Sequence, residues 1–307
     1  MDLQLDQLRA LSWAVAEGSF EGAAGQLRVT PSAISQRIKA LESSVGRVLL
    51  QRSRPVQPTE SGHAVLRLAR QLDLLVAETA RELGEPDVDG APDVSGAPAA
   101  PVSIPLVVNA DSLATWVLPA FTTLPPGVVL DIHREDQGYS TRLLADGTAM
   151  AAITSSAEPV QGCHSTRLGT MRYRAVASPG FATAWFSDGV TTRTLQAAPM
   201  VVFDRKDDLQ DRFVRRKARR DLRPPRHHVP ASADFVAAIR LGLGWGMVPD
   251  QQNGPTGDGP TGDLVDLDPG GFIDIPLFWQ QWKLRTRVLD AIADAVRSAA
   301  TASLRQP

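Results

Sequence analysis

The sequence predicts a two-part protein. An α-rich helix-turn-helix with a β-wing comes first, and a long linker helix and a flexible segment lead to an α/β domain. Three observations predict this. The stretch VTPSAISQRIKALE, residues 29–42, reads as a capped helix with one apolar and one small polar side. Residues 59–83 carry a helical apolar stripe long enough to leave the first unit. Residues 84–103, GEPDVDGAPDVSGAPAAPVS, break every period, and strand-like and helix-like runs alternate after them.

The elements follow in order. Leu5, Leu8, Leu11 and Val15 recur at helical spacing within residues 3–16. Gly18 ends that run, and Ser19 is placed to cap a second short helix, FEGAAGQL. Arg28 and Val29 make a tight turn. Thr30 suits an N-cap and Pro31 the first helical position, so a third helix starts there and runs to about Ser44. The run 47–58, RVLLQRSRPVQP, is apolar, then basic, with two prolines, and predicts a short strand pair. Val65, Leu68, Leu72, Leu75, Val76 and Thr79 form the stripe of the long helix, which predicts packing against another helix.

Beyond the linker, IPLVVNA (104–110), VVLDIHRE (128–135), AMAAITS (149–155), RYRAVAS (172–178), MVVFD (200–204), HHVPA (227–231) and GWGMVP (244–249) read as strands. Helical runs lie between them, including one near Gly138–Asp146, which predicts a largely parallel sheet. A last helix is expected at about Thr286–Leu304, and 250–263 reads as a loop.

Composition bounds the function. The 307 residues fit two or three domains, and 43% hydrophobic content supports buried cores. A formal net charge of −2 excludes a generally basic coat, so nucleic-acid binding needs a local patch. One is present: Arg28, Arg37, Lys39, Arg47, Arg52 and Arg54 stand against only Glu42 between residues 28 and 54. The single cysteine, Cys163, cannot form a disulfide within the chain and has no resolving partner for redox sensing. Asp2 and Asp6 replace the cations of a signal peptide, and no run has the ~18 apolar residues of a membrane span. A cytoplasmic protein without membrane contact is expected.

On a helix over 31–42, Ile34, Ile38 and Leu41 share one side, while Ser32, Ser35, Gln36 and Lys39 share the other. Gln pairs bidentately with an adenine edge, Ser donates or accepts, and Lys reaches guanine or phosphate. A solvated polar face is the bland alternative. The capped turn, the basic wing and the long helix favour double-stranded DNA. Two further readings remain open from the residues: an architectural DNA-binding protein of low specificity, and a solute-binding or enzymatic α/β protein with a helical cap. No G-x-S-x-G, Walker or H-E-x-x-H pattern supports catalysis. The adjacent His227 and His228 point apart on a strand, so no metal site is expected. The basic run 212–228 reads as a solvated helix face or subunit contact, and the six tryptophans as mostly core.

Ligands of open α/β folds lie beyond the strand C-termini. Asn109, Asp111 and Ser112 follow the first strand of the second domain. Thr154 and Ser155 end another, and Ser232 follows the 227–231 run. Among the acids of this domain, Asp111, Asp204, Asp207 and Asp234 are the candidates to meet any positive charge on a ligand. Asp111 and Ser112 also suit helix caps, and Asp207 and Asp208 can pair with Arg205 and Lys206. No cofactor is implied.

The segment GSFEGAAGQLRVTPSAISQRIKALESSVGRVLLQRS resembles the winged helix-turn-helix of LysR-type transcriptional regulators. Gly18-Ser19-Phe20, Ala23-Ala24, Leu27, Pro31-Ser32, Ser35, Ile38, Leu41-Glu42, Gly46 and Thr59-x-x-Gly62 stand in register. NADSLATWVLPAF, FDRKDDLQDRF, LGLGWGMVP and FWQQWKL are similar to the ArgP/LysG group, regulators of basic amino acid export. The resemblance implies a DNA-binding domain over 1–58, a dimerising helix over 59–83, a hinge over 84–103 and an effector domain over 104–307. It implies that the effector domain is like a periplasmic binding protein, with subdomain I at about 104–168 and 272–307 and subdomain II at about 169–271. By the same analogy Thr30, Ser32, Ser35, Gln36, Arg37 and Lys39 meet DNA, and Arg52 and Arg54 reach the adjacent backbone or minor groove. A lysine, arginine or histidine effector, an exporter gene as target, a homodimer or homotetramer on a palindromic promoter site, and RNA polymerase as a further partner are also implied. The hinge and the 250–263 loop are longer than the family pattern.

Overall fold

The computed structural model describes residues 3–51, 53–82, 102–135, 137–253, 264–284 and 286–306. The N-terminal unit consists of α1 (Leu5–Ala16), α2 (Phe20–Gln26), α3 (Pro31–Val45), β1 (Leu50–Gln51) and β2 (Gln57–Pro58). Its caps form where the sequence puts them. The Ser19 hydroxyl accepts from the Gly22 amide, and the Thr30 hydroxyl from the Ala33 amide. Leu8, Leu11, Ala23, Ile34, Ile38, Leu41 and Leu49 close one core.

The wing is tied down from two sides. Glu42 on α3 accepts from the Leu49 and Leu50 amides at 2.8 and 3.3 Å. The Thr59 hydroxyl donates to the Val48 carbonyl and accepts from the Gly62 amide, starting α4 (Glu60–Glu82). A Cβ on Gly62 would lie 2.0 Å from the Leu49 carbonyl oxygen, so only glycine lets the wing cross here.

The buried face of α4 differs from the predicted stripe. Val65, Leu66 and Ala69 enter the N-terminal core, while Leu68 and Leu75 are 37% and 38% exposed. The helical spacing holds, but the apolar residues divide between two neighbouring faces, one buried and one exposed.

The second domain comprises β3 (Val102–Val108), α5 (Ala110–Thr115), β4 (Val128–Arg134), α6 (Gln137–Ala145), β5 (Ala151–Thr154), β6 (Cys163–Ala177), α7 (Pro179–Phe186), α8 (Thr192–Ala197), β7 (Met200–Val202), α9 (Leu209–Ala218), β8 (Arg226–His228), α10 (Ser232–Arg240), β9 (Gly246–Pro249), β10 (Val265–Asp266), β11 (Phe272–Trp282) and α11 (Arg287–Ser303). Short 3-10 turns occupy 118–123 and 250–252. The predicted loop at 250–263 is therefore structured at its start, and 254–263 lie outside the described residues. Most of the predicted 84–103 linker lies outside them too, although Val102 and Ser103 already belong to β3.

The sheet is mixed rather than largely parallel. Its order is β10-β6-β11-β5-β3-β4, with β9 also on β6. Among the strands of the described residues, only β3 with β4 and β5, and β7 with β8 in a separate pair, run parallel. The reason is two long strands, β6 and β11, that pair antiparallel from Cys163–Trp282 to Arg174–Phe272. Sequence reading found only the second half of β6 and missed β11, where buried Gln280 and Gln281 interrupt the apolar alternation. Four tryptophans, 116, 245, 279 and 282, are buried, whereas Trp185 is 40% exposed.

Candidate functional site

The first candidate surface is α3. Ser32, Gln36 and Lys39 are exposed on one side, with Ser35 half-buried between them, opposite buried Ile34, Ile38 and Leu41. Positions i, i+3, i+4 and i+7 share a face, so the four side chains project together. Thr30 is exposed, but its hydroxyl is engaged with Ser32 at 2.9 Å and caps the helix. Arg37 lies 100° from Gln36 and turns toward Asp6 of α1 at 3.1 Å, an exposed pair of small energetic weight. Arg54 is exposed on the wing, and Arg52 lies outside the described residues.

The second is a cavity of about 330 Å³ in the α/β domain. Asn109, Asp111 and Asp207 line it, with Tyr173, Lys206 and Gln252 among the residues that sequence reasoning missed. Asp208 and Arg212 also reach its wall. Asp111, just beyond β3, accepts from the Tyr173 hydroxyl at 2.8 Å and the Ser232 hydroxyl at 2.9 Å. Gln252 meets the same serine at 3.1 Å. Among the described residues, the buried Oδ1 of Asn109 meets no donor.

Burial raises the pKa of Asp111, and its two hydroxyl donors temper the rise. Burial also raises Asp207, eased by the Phe203 and Leu209 amides that its oxygens accept, and the charge of Asp111 raises it further. The Tyr173 hydroxyl is pushed well above its ordinary range by burial and by Asp111. Asp111 and Asp207 in one cavity favour a cation beside them, and Lys206 and Arg212 in the same lining favour an anionic group, so the cavity suits a ligand carrying both charges.

The other predicted residues stand apart from the cavity lining. Ser112 is fully buried within α5. Thr154 is buried at the end of β5 and accepts from the Ser156 amide; Ser155 is half-buried beside it. Asp204 accepts from the Lys206 and Asp207 amides and builds the turn that presents Asp207. Asp234 is exposed on α10. Ser232 participates through its bond to Asp111. Tyr173 carried one legible signal, being one of only two tyrosines in the chain, on a strand facing the cavity. Cys163 is buried, and burial pushes its thiol up to about 11, which makes it a poor nucleophile.

The family described as "Bacterial regulatory helix-turn-helix protein, lysR family" matches residues 5–63, and "LysR substrate binding domain" matches 102–300. The chain belongs to the LysR family. It is 44% identical over 99% of its length to "HTH-type transcriptional regulator LysG" of Mycobacterium tuberculosis, covering 97% of that protein. Identity to "Lysine export transcriptional regulatory protein LysG" of Corynebacterium glutamicum is 39%, covering 99% of each chain. The solved structure of full-length LysG from C. glutamicum with bound effector Arg superposes with a TM-score of 0.72 at 36% identity, covering 99% of this chain and 100% of that one. As a LysR-family transcriptional regulator, the chain is not an enzyme, and no described helix is long and apolar enough to cross a membrane.

Proposed function

We propose that this LysR-family regulator senses a cationic amino acid, lysine, arginine or histidine, and controls an amino acid exporter gene from the cytoplasm. One observation carries the ligand class: Asp111 and Asp207 line the same cavity, close enough for the charge of one to raise the other. A ligand ammonium or guanidinium neutralises both carboxylates and supplies donors to the vacant Asn109 Oδ1. Lys206 and Arg212 offer the opposite charge to the ligand carboxylate. The names and bound effector of the LysG relatives support the same class.

In this reading Ser32, Ser35, Gln36 and Lys39 read bases, Thr30, Arg52 and Arg54 approach the backbone, and Arg37 contributes from its side of α3. The DNA-binding domain spans 1–58, the linker helix 59–83, the hinge 84–103 and the effector domain 104–307. The lobe boundary near 168/169 is supported by a register shift in the β6–β11 ladder and by φ of +146° at Gly169. Exposed Leu68 and Leu75 support pairing of α4 with a second copy, giving a dimer or tetramer on a palindromic site with half-sites about one helical turn apart. RNA polymerase is the further partner of such a promoter complex.

Calorimetry on the full chain tests the ligand class. L-lysine, L-arginine or L-histidine should give saturable heat, and L-glutamine and L-glutamate none. Binding of only a neutral or acidic amino acid overturns the reading.

A further inference from the structure

Three faces of α4 have three different fates. Val65, Leu66 and Ala69 enter the N-terminal core, and Asp73 on the same side pairs with Arg9 of α1 at 3.0 Å. Leu68 and Leu75 remain exposed. The third face, His63, Arg67, Arg70, Leu74 and Glu78, follows helical spacing and meets the effector domain along its whole length.

The contact is specific. His63 Nδ1 lies 3.0 Å from the Asp146 carbonyl oxygen. Arg70 donates to the Gly147 carbonyl at 2.5 Å and also to the Thr148 carbonyl. Three consecutive carbonyls thus point at α4, just past the C-terminal end of α6, where helix geometry concentrates negative partial charge. The turn is shaped to do so. The Asp146 carboxylate accepts from the Thr148 amide at 2.9 Å, and Gly147 has φ of +81°. A Cβ on Gly147 would come within 2.9 Å of Arg67 Cβ, so the approach requires glycine. Leu74 is buried in the effector-domain core, and Glu78 accepts from the Arg287 amide at the start of α11 at 2.5 Å.

The same turn is mechanically close to the cavity. The Met150 amide donates to Pro105 on β3, and Ala151 of β5 pairs with Leu106. β3 then runs directly into Asn109 and Asp111. In the other direction, Arg70 is one turn from Asp73, whose partner Arg9 lies on α1 of the DNA-binding unit.

We propose that Arg70 is a positioning residue that couples effector occupancy to the DNA-binding unit, by latching α4 to the carbonyls of the 146–148 turn. The latch is suited to open. Among the described residues the Arg70 guanidinium meets carbonyls rather than a carboxylate within ion-pair distance. Its burial pulls its pKa down to about 10, against the attraction of Asp131, Asp146 and Asp73. Opening returns that charge to water, which offsets the lost hydrogen bonds, so a modest differential affinity of the effector for the two states shifts the balance. The coupling rests on the effector reading given above; the contact itself does not.

The test uses the full-length protein, L-arginine and a duplex carrying the promoter upstream of its own gene. Arg70→Met should bind L-arginine within about twofold of wild type and still shift the promoter duplex. Its arginine-induced change in DNA affinity or bend should fall at least fivefold, the lower end of ordinary allosteric coupling, and Arg70→Lys should recover part of it. Hydrogen exchange should show residues 63–78 opening faster in Arg70→Met without any ligand. A full arginine response in Arg70→Met, or unchanged exchange of 63–78, overturns the proposal. If L-arginine fails to bind the wild type, the effector reading fails, while the exchange experiment still decides the latch. Glu78→Gln loosens the far end of the same face and guards against misfolding of the first variant. It should show the same losses in weaker form, and a wild-type response there together with unfolded Arg70→Met counts against the latch.

Discussion

The Tyr173 hydroxyl of β6 donates to the Asp111 carboxylate at 2.8 Å, joining the first turn of α5 to the long strand that crosses the effector domain. The carboxylate is held there despite burial that raises its pKa. A group whose folded-state pKa is raised stabilises the fold fully below its unfolded value, near 3.8, and loses that contribution as pH rises through the folded value. Ionisation of Asp111 therefore costs stability as pH rises. Asp111→Asn should raise Tm at pH 7 by ~2–4 °C, the shift for about 1 kcal/mol in a chain of this size, with a smaller gain near pH 4. The same variant should lose at least ~10-fold in affinity for L-arginine, a loss of about 1.4 kcal/mol. Thermal scans at the two pH values and calorimetry check both. A variant that is less stable at pH 7 and binds normally defeats the assignment.

Effector affinity should itself depend on pH. The arginine guanidinium stays charged, so the titrating partners are Asp111 and Asp207, both raised by burial. Affinity should be complete above their raised values and weaken as pH falls through them, with proton release on binding in that window. Calorimetry in buffers of different ionisation heat measures it. Affinity that rises on acidification contradicts the carboxylate wall.

Gly62 supplies a prediction about the wing. A methyl group there meets the Leu49 carbonyl oxygen at 2.0 Å, and backbone cannot move aside as a flexible side chain can. Gly62→Ala should destabilise the N-terminal unit by about 1–3 kcal/mol and weaken DNA binding through displacement of the wing. Denaturant unfolding and a gel-shift titration measure the two effects. A neutral result means that the wing and the start of α4 are not packed this closely.

That glycine was legible in the sequence only as part of Thr59-x-x-Gly62; its reason needed the wing's crossing point. The same contrast runs through the chain. Ser19, Thr30 and Pro31 announce helix starts because capping is local chemistry, and α3 sorts correctly into Ile34/Ile38/Leu41 and Ser32/Gln36/Lys39 because its period is local too. Strand direction is not local. Nothing in the spacing of 163–177 or 272–282 states that the two pair antiparallel, and their pairing decides where Tyr173 falls. Asn109 and Asp111, named from a strand end, and Asp207, named as an acid, do line the cavity, while Tyr173, Lys206 and Gln252 arrive from elements whose convergence is tertiary. Asp204 stands outside the lining for a local reason, since its carboxylate accepts from the amides of the turn that presents Asp207.

The exposed face of α4 makes a prediction about assembly. Leu68 and Leu75 lie two turns apart on one side and are more than a third exposed, which is unfavourable for apolar side chains unless covered. Leu75→Glu should shift the protein toward monomer in sedimentation and lower operator affinity, because two recognition helices on one palindrome bind with a shared effective concentration. An unchanged sedimentation profile places the subunit contact elsewhere.

The two ends of the DNA-binding unit should respond differently to substitution. Gln36 is exposed at the centre of the outward face of α3, where an amide can bond two edges of one base. Arg54 is exposed on the wing, where a guanidinium suits phosphate. Gln36→Ala should therefore reduce the discrimination between operator and random duplex by ~1–3 kcal/mol and leave random-duplex affinity nearly unchanged. Arg54→Ala should weaken both duplexes alike and lower the slope of log affinity against log salt by about 1. Gel-shift titrations at several matched salt concentrations separate the two patterns. A Gln36→Ala protein that keeps full discrimination removes the amide from the reading face. An Arg54→Ala protein with an unchanged salt slope removes the wing arginine from the phosphates, and with it the argument that the local excess of positive charge was placed there for DNA.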